Sequence, residues 1–230
     1  MSATKEFNHD KIEQGQRAAI ADTRDYPILF DTQMVQSILS GQKTQTRRLF
    51  KSPLCKVVEP AVKIFCDESI WRAQLKNRKS INYSIICPYG EPGDLLWVKE
   101  TWSPAIDDFA YKADYSKTTL SGKRNQGLWH PSIHMPKSAT RVWLQITDIK
   151  AHRIQSISEE DAKAEGCGVA KIYGFGEIGQ SNYHEGFFAK WISIYGIESW
   201  YENPWVWAIT FIVTPAVQNK PLNTTIHYKL

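Results

Sequence analysis

An amine, a hydroxyl group and two guanidinium groups lie close together in this sequence, on Lys43, Thr46, Arg47 and Arg48. A hydroxyl becomes a nucleophile when a base takes its proton, and a partly desolvated lysine is such a base. Guanidinium groups bind anions and order carboxylates. The four side chains therefore contain parts of a hydrolytic site. One alternative is open at this point: cations after a helix also stabilise its carbonyl end and are usually solvated.

A short helix is predicted immediately before these residues. Asp31 or Thr32 is a suitable N-cap, and Gly41 can adopt the left-handed conformation that ends a helix. A single apolar stripe, which must face a core, consists of Met34, Val35, Ile38 and Leu39. Lys43 and Thr46 converge only if Lys43 lies in the turn after Gly41, because residues three apart in a straight strand point to opposite faces.

The pattern Gly41-x-Lys43-x-x-Thr46-x-Arg48 resembles the GxKxxExR signature of the ASCH family, whose fold is related to PUA domains. Thr46 stands where Glu is common, and the ASCH members known as N4-acetylcytidine amidohydrolases also carry Thr there. The resemblance implies an amide hydrolysis without metal or cofactor. Thr46 would be the nucleophile, Lys43 the base and Arg48 a group that stabilises an oxyanion, with Arg47 and Arg48 in contact with the substrate.

Glu165 is a third catalytic candidate. It lies in the last turn of a short predicted helix that begins at the N-cap Ser158 and ends at Gly166. The helix dipole disfavours negative charge at this end, so the carboxyl group is expected to hold a proton that it can donate. An exposed glutamate is the plainer alternative. The resemblance favours the catalytic interpretation, because the amidohydrolases carry Glu at the matching place of a similar helix.

The segment 129–141 contains two prolines and is predicted to be a loop. Loops often carry the side chains of a site. We predict that this loop forms a wall of the pocket and contacts substrate through Trp129, His130, Ser132 and His134. For either histidine, the alternative is a structural role in which the ring satisfies a backbone group.

The remaining pattern predicts several strands and one long helix. Strands are expected at 27–30, 95–102, 109–115, 141–148 and 205–214, and residues 149–157 are expected either to continue the strand 141–148 or to pair with it. An amphipathic helix is expected at 183–195, with its aromatic residues in the core. Strands and helices at irregular intervals predict an α+β fold. The resemblance implies a PUA-like (ASCH) partly open β-barrel flanked by helices.

No repeat or clear linker divides the chain, so we predict one domain over residues 26–214. Residues 1–25 are predicted to be an N-terminal extension and residues 215–230 a C-terminal tail. Residues 49–84 are interpreted as an irregular insertion with Trp71 as its one large anchor, and residues 168–179 as a flexible glycine-rich segment.

The composition of the 230 residues, with 42% hydrophobic and 23% charged, is that of a globular protein. No apolar run spans a bilayer and no secretory signal is evident, so we expect a cytoplasmic protein without a membrane partner. Four separated cysteines are expected to be reduced, and their spacing, even with His130 and His134, gives a zinc site no support. A net charge of +4 only mildly favours anionic partners.

Three functions follow from these residues and from the resemblance. The first is hydrolysis of an N4-acylated cytidine or a related modified nucleoside. The second is a non-catalytic RNA-binding module whose cations hold phosphates, and the third is a ribonuclease. The motif order resembles that of longer ASCH proteins of phages and prophages. No cofactor and no obligate protein partner are predicted.

Overall fold

The computed structural model describes residues 23–50, 62–67, 70–75, 82–105, 108–115, 129–169 and 182–214. Three predicted segments lie wholly or largely outside the described residues: the extension 1–25, the tail 215–230 and the glycine-rich segment 168–179. The division into one domain with an insertion at 49–84 stays a prediction.

A five-stranded sheet forms the centre of the fold. Its order is β1 (Asp25–Leu29), β6 (Leu95–Lys99), β9 (Trp143–Arg153), β10 (Trp205–Val213) and β2 (Gln45–Leu49). β1 runs parallel to β6, and the other neighbouring pairs are antiparallel. Both edge strands therefore come from one stretch of sequence, and the helix α1 (Thr32–Leu39) connects them.

Three further strands form a separate antiparallel sheet: β3 (Val62–Asp67), β4 (Ile70–Leu75) and β5 (Asn82–Ile85). The prediction of an irregular segment at 49–84 is wrong for these residues. Charged residues interrupt the alternation there, while the order comes from pairing between strands, which a local pattern does not reveal. Trp71 is confirmed as an anchor, because its ring packs edge-on against that of Trp207 with centroids 5.1 Å apart.

Two predicted strands are shorter than expected. The one predicted at 95–102 ends at Lys99, and the chain resumes as β7 (Trp102–Pro104). β7 pairs with β8 (Phe109–Tyr111). The strand predicted at 109–115 thus ends at Tyr111, and a 3-10 turn follows at Lys112–Asp114. By contrast, β9 continues to Arg153, as the pattern of residues 141–157 predicted.

Three of the four helices in the described chain begin at the N-caps that the sequence predicts, and the fourth, at Ile197–Tyr201, was not predicted. Besides α1, the described chain contains α2 (Glu159–Ala164), α3 (Tyr183–Tyr195) and α4 (Ile197–Tyr201). The N-caps Asp31, Ser158 and Asn182 each accept a hydrogen bond from a backbone N–H in the first turn. These bonds satisfy donors that a helix leaves unpaired at its N-terminus, so the caps fix where each helix begins.

The main core lies between the sheet and α1. Val35 and Ile38 of α1 pack with apolar residues of four of the five strands, β1, β6, β9 and β10, among them Ile28, Leu96, Leu144 and Ile209. Leu39, predicted to share that stripe, is instead 50% exposed, since it lies at the edge of the buried face near the end of the helix. A second core, which includes Ala162, Phe187, Trp191 and Trp200, holds α2, α3 and α4 together.

The predicted α+β class is confirmed. Within the described residues the strands form an open sheet and do not close into a complete barrel, which is consistent with a partly open PUA-like fold. None of the helices in the described ranges combines the length and hydropathy that crossing a membrane requires.

Candidate active site

A cavity of about 590 Å³ lies between the C-terminal end of β1, the first turns of α1, strand β2 and helix α3. Its wall contains both apolar and polar side chains. The polar or charged ones include Asp31, Ser37, Thr46, Arg47, Arg48, Thr101, Ser132, Glu165 and Lys190. The aromatic ones are Phe30, Phe187, Trp191 and Tyr195. Mixed linings of this kind are typical of sites for small molecules with a ring and a few polar groups.

Lys43 is buried behind this cavity, with 1% of its surface exposed. Lys43 lies between α1 and β2, two residues after the left-handed Gly41 (φ +75°). It forms an isolated β-bridge with Glu165. Its Nζ donates to the Glu165 carboxylate at 2.6 Å, to the Glu165 carbonyl at 2.8 Å and to the Gln45 carbonyl at 2.8 Å. Burial lowers the pKa of this amine, and the neighbouring Glu165 carboxylate partly offsets the effect.

Glu165 is the residue that follows α2, and its side chain is directed at the end of β2. One carboxylate oxygen accepts from Lys43, and the other accepts from Arg47 Nη1 at 3.2 Å. The residue is 8% exposed and lines the cavity. It is thus neither an exposed glutamate nor an isolated acid, because two cations hold its carboxylate in place.

Thr46 lies on β2, opposite Ile209 of β10, and is 3% exposed. Its side chain lines the same cavity as Glu165. The requirement that Lys43 precede the strand is met, since β2 begins at Gln45. The structure therefore brings Lys43 and Glu165 into hydrogen-bond contact and places Thr46 and Glu165 in one cavity wall.

Arg48 lies two residues after Thr46 and therefore on the same face of β2, and it also lines the cavity. Its guanidinium carbon lies 4.9 Å from the centre of the Phe30 ring, and Nη2 donates to the Leu29 carbonyl at 2.6 Å. Nε of Arg48 is buried and has no protein acceptor among the described residues. The side chain thus bridges the two edge strands and retains a donor for a bound molecule.

Arg47 lies on the opposite face of β2 and has different hydrogen-bond partners. Its Nη2 donates to Asp161 at 2.6 Å, and its Nη1 donates to Gln45 at 2.6 Å and to Glu165. These bonds engage its terminal nitrogens, whereas its buried Nε has no acceptor among the described residues and the residue lines the cavity, so substrate contact by Arg47 stays a prediction. The alternation of β2 is the sequence signal that separates it from Thr46 and Arg48.

The loop 129–141 reaches the cavity at one point. Of its four predicted contact residues only Ser132 lines the wall. His130 pairs with Trp102 through two backbone hydrogen bonds, Trp129 packs against Tyr115, and His134 is exposed. The two histidines and Trp129 therefore do not line this cavity, and the two bonds of His130 are made by its main chain and not by its ring.

Several residues that line the cavity were not predicted as site residues from the sequence. Phe187 and Trp191 are core residues of α3, as predicted, yet their edges also line the cavity. The Lys190 side chain donates to the N-cap Asp31 at 2.6 Å and so links α3 to α1 at the cavity. Cys167 lines it as well, and burial raises the pKa of its thiol to about 11. These positions depend on packing between distant elements, which no local pattern encodes.

The described residues contain no cluster of three or more His, Cys, Asp or Glu side chains that could hold a metal ion. The site is instead an ion-pair cluster next to a hydroxyl.

Neither a protein-family model nor a curated protein sequence matches this chain. A solved crystal structure, that of protein EF3133 from Enterococcus faecalis V583, described as family-model DUF984, is similar over 90% of this chain and 92% of that chain. The sequence identity is 11% and the TM-score 0.34. At these values the likeness adds nothing to the assignment of the site, and the ASCH resemblance stays a prediction.

Proposed function

We propose that this protein hydrolyses the amide bond of an N-acylated nucleoside, with N4-acetylcytidine as the model substrate. The observation that carries the proposal is that Thr46 and Glu165 both line one cavity, while Lys43 is bonded to Glu165 at 2.6 Å. An alcohol, a carboxylate and an amine are the groups that a metal-independent acyl transfer needs.

The Thr46 hydroxyl attacks the acyl carbon in this mechanism, and its proton passes to the Lys43–Glu165 pair. Lys43 donates one N–H to the Glu165 carboxylate and two to backbone carbonyls, and the amine and the carboxylate act as one coupled acid and base. The burial that lowers the pKa of Lys43 makes its amine a more accessible base than a free lysine. The pair then protonates the leaving nitrogen as the C–N bond breaks.

Water hydrolyses the acyl ester on Thr46 in the second half of the reaction, which releases the carboxylic acid and restores the hydroxyl. The Arg48 guanidinium, with its buried and unpaired Nε, supports the negative charge that develops on the acyl oxygen. Phe30 and the aromatic edges of α3 provide apolar surfaces for a nucleobase. A cavity of about 590 Å³ accommodates a molecule of nucleoside size.

A phosphate-binding RNA reader has less support from the same contacts. It would use Lys43, Arg47 and Arg48 to neutralise phosphates. Lys43 is paired with Glu165, and Arg47 with Asp161 and Glu165, so these two cations have carboxylate partners already. Arg48 alone of the three has no carboxylate partner among the described ion pairs.

Purified protein incubated with N4-acetylcytidine tests the proposal. We expect release of cytidine and acetate, together with loss of release in Thr46→Val, which keeps the shape of the side chain and removes the nucleophile. Thr46→Ser, which keeps a hydroxyl, is the matched control and should retain part of the activity. Equal activity of Thr46→Val and the wild type would exclude the threonine mechanism.

A further inference from the structure

We propose that Arg47 and Asp161 form a positioning pair that holds the Glu165 carboxylate in the orientation required for proton transfer, and that neither residue contacts substrate. The inference rests on the proposed function for its catalytic consequence. Its structural content, the orientation of Glu165, can be tested without any substrate.

The first support is that each oxygen of the Glu165 carboxylate binds a different cation. Oε2 accepts from Lys43 at 2.6 Å, and Oε1 accepts from Arg47 at 3.2 Å. Lys43 alone would leave the carboxylate free to rotate about its last bond, because a single contact fixes one oxygen only. The second contact fixes the plane of the carboxylate, which a proton-transfer group requires.

The second support is the way in which Arg47 is itself held. Nη2 binds Asp161 at 2.6 Å and Nη1 binds Gln45 at 2.6 Å, while Gln45 also donates to Asp161 at 3.3 Å and to Thr210 at 3.2 Å. The side chains of Arg47 and Glu165 are 1% and 6% exposed, so this ion pair is little screened by water, whereas the Asp161 side chain is 34% exposed. The network ties Glu165 to β2, β10 and α2 together and engages both terminal nitrogens of Arg47, so that only the buried Nε of this guanidinium lacks a protein acceptor among the described residues.

The charges around Glu165 predict opposite effects for the two residues. The groups that interact with it from the surrounding elements are Lys43, Arg47, His152 and Cys167, and Asp161 acts on it through its ion pair with Arg47. Arg47 stabilises the negative carboxylate, and Asp161 weakens that effect by partly neutralising Arg47. Removal of the positive charge and removal of the negative charge should therefore shift the protonation of the Lys43–Glu165 pair in opposite directions.

The experiment measures the pH dependence of kcat for N4-acetylcytidine hydrolysis in Arg47→Gln and Asp161→Asn. The acidic limb of the profile should move to higher pH in Arg47→Gln and to lower pH in Asp161→Asn. In Arg47→Gln we expect kcat to fall by about a hundredfold with KM nearly unchanged, because a misplaced Glu165 carboxyl slows proton transfer and leaves substrate binding unaffected. Limbs that move in the same direction, or a rise in KM alone, would overturn the proposal.

Two further variants keep the result interpretable. Arg47→Lys retains the charge and should restore part of kcat, which covers the case in which Arg47→Gln does not fold. Arg141→Lys is the matched control: Arg141 binds Glu100 and Asp114 in a similar two-carboxylate arrangement, is not part of the cavity wall, and should leave the pH profile unchanged.

A wild-type protein without hydrolytic activity would refute the proposed function and leave the positioning role to a structural test. Crystal structures of the wild type and of Asp161→Asn and Arg47→Gln decide that case. We expect the Glu165 carboxylate to leave its wild-type orientation in at least one variant. An unchanged Glu165 in both would contradict the positioning role.

Discussion

Lys43 is a buried cation whose hydrogen bonds join three parts of the chain. Its ammonium group binds one carboxylate and two backbone carbonyls, which lie on Glu165 and Gln45. Burial of a charge is costly unless it is paired and fully hydrogen-bonded, and here both conditions hold. The residue therefore serves the fold as well as the proposed chemistry.

Replacement of Lys43 by Met should lower the free energy of unfolding by about 3 kcal/mol or more, because it leaves buried acceptors without a donor. Denaturant unfolding measures this. Lys150→Met is the control: Lys150 pairs with Asp148 on the surface, with 72% of its side chain exposed, and the change should cost less than about 1 kcal/mol. Equal losses in the two variants would show that the Lys43 pair contributes little to stability.

The lowered pKa of Lys43 gives this prediction a pH dependence. In the interval below the ordinary value of 10.5, the unfolded state binds more protons at this lysine than the folded state does. The Lys43 contribution to the free energy of unfolding should therefore rise with pH until 10.5 is passed. The difference between wild type and Lys43→Met isolates this rise, and a difference that falls with pH would contradict it.

Helix ends set the geometry of the site at the scale of elements. Gly41 ends the turn after α1 and Gly166 ends the turn after α2, and both have positive φ, +75° and +73°. A Cβ on Gly166 would lie 2.9 Å from the Cβ of Lys43, whereas a Cβ on Gly41 would meet no atom within 4 Å. The two elements that carry Lys43 and Glu165 thus approach closely only because Gly166 has no side chain.

Gly41→Ala should lose about 1–2 kcal/mol of stability, because an L-residue is strained in this conformation, and Gly166→Ala should lose more, because its methyl group also clashes with Lys43. Only Gly166→Ala should also lose activity, since the added methyl group displaces Lys43 from Glu165. Thermal unfolding and turnover of N4-acetylcytidine by both variants separate the two effects. Equal turnover in the two variants would mean that the close approach is irrelevant to the site.

Local signals predict helices in this chain better than they predict sheets. The bounds of α3 follow from the stripe that contains Phe187 and Trp191 and from the cap Asn182, all of which are local. The strands β3, β4 and β5 were missed because their order depends on pairing between segments. The contact of Lys43 with Glu165 is likewise non-local, and only the family resemblance suggested it.

The whole molecule combines a mild positive charge with a cavity whose cations are largely paired. The net charge is +4, yet Lys43, Arg47 and Lys190 each have a carboxylate partner beside the cavity. Little long-range attraction for a polyanion is therefore directed at this site. An uncharged ligand that binds by stacking and hydrogen bonds suits it better than a phosphate chain does.

The affinity for cytidine should accordingly change little when the salt concentration is raised, because no counterions are released on binding a neutral molecule. Calorimetric titration at low and at physiological ionic strength measures this. Single-stranded RNA is the comparison ligand. A steep loss of RNA affinity with salt, weakened further by Arg47→Ala and Lys43→Ala, would instead support the RNA-reader alternative.

The release of cytidine and acetate from N4-acetylcytidine, followed for the wild type, Thr46→Val, Thr46→Ser and Glu165→Gln, tests the central claim most directly. We expect turnover by the wild type, reduced turnover by Thr46→Ser, and a loss of at least about a hundredfold in Thr46→Val and Glu165→Gln. Full activity in either of the last two variants, or no turnover by a folded wild-type protein, would contradict the account.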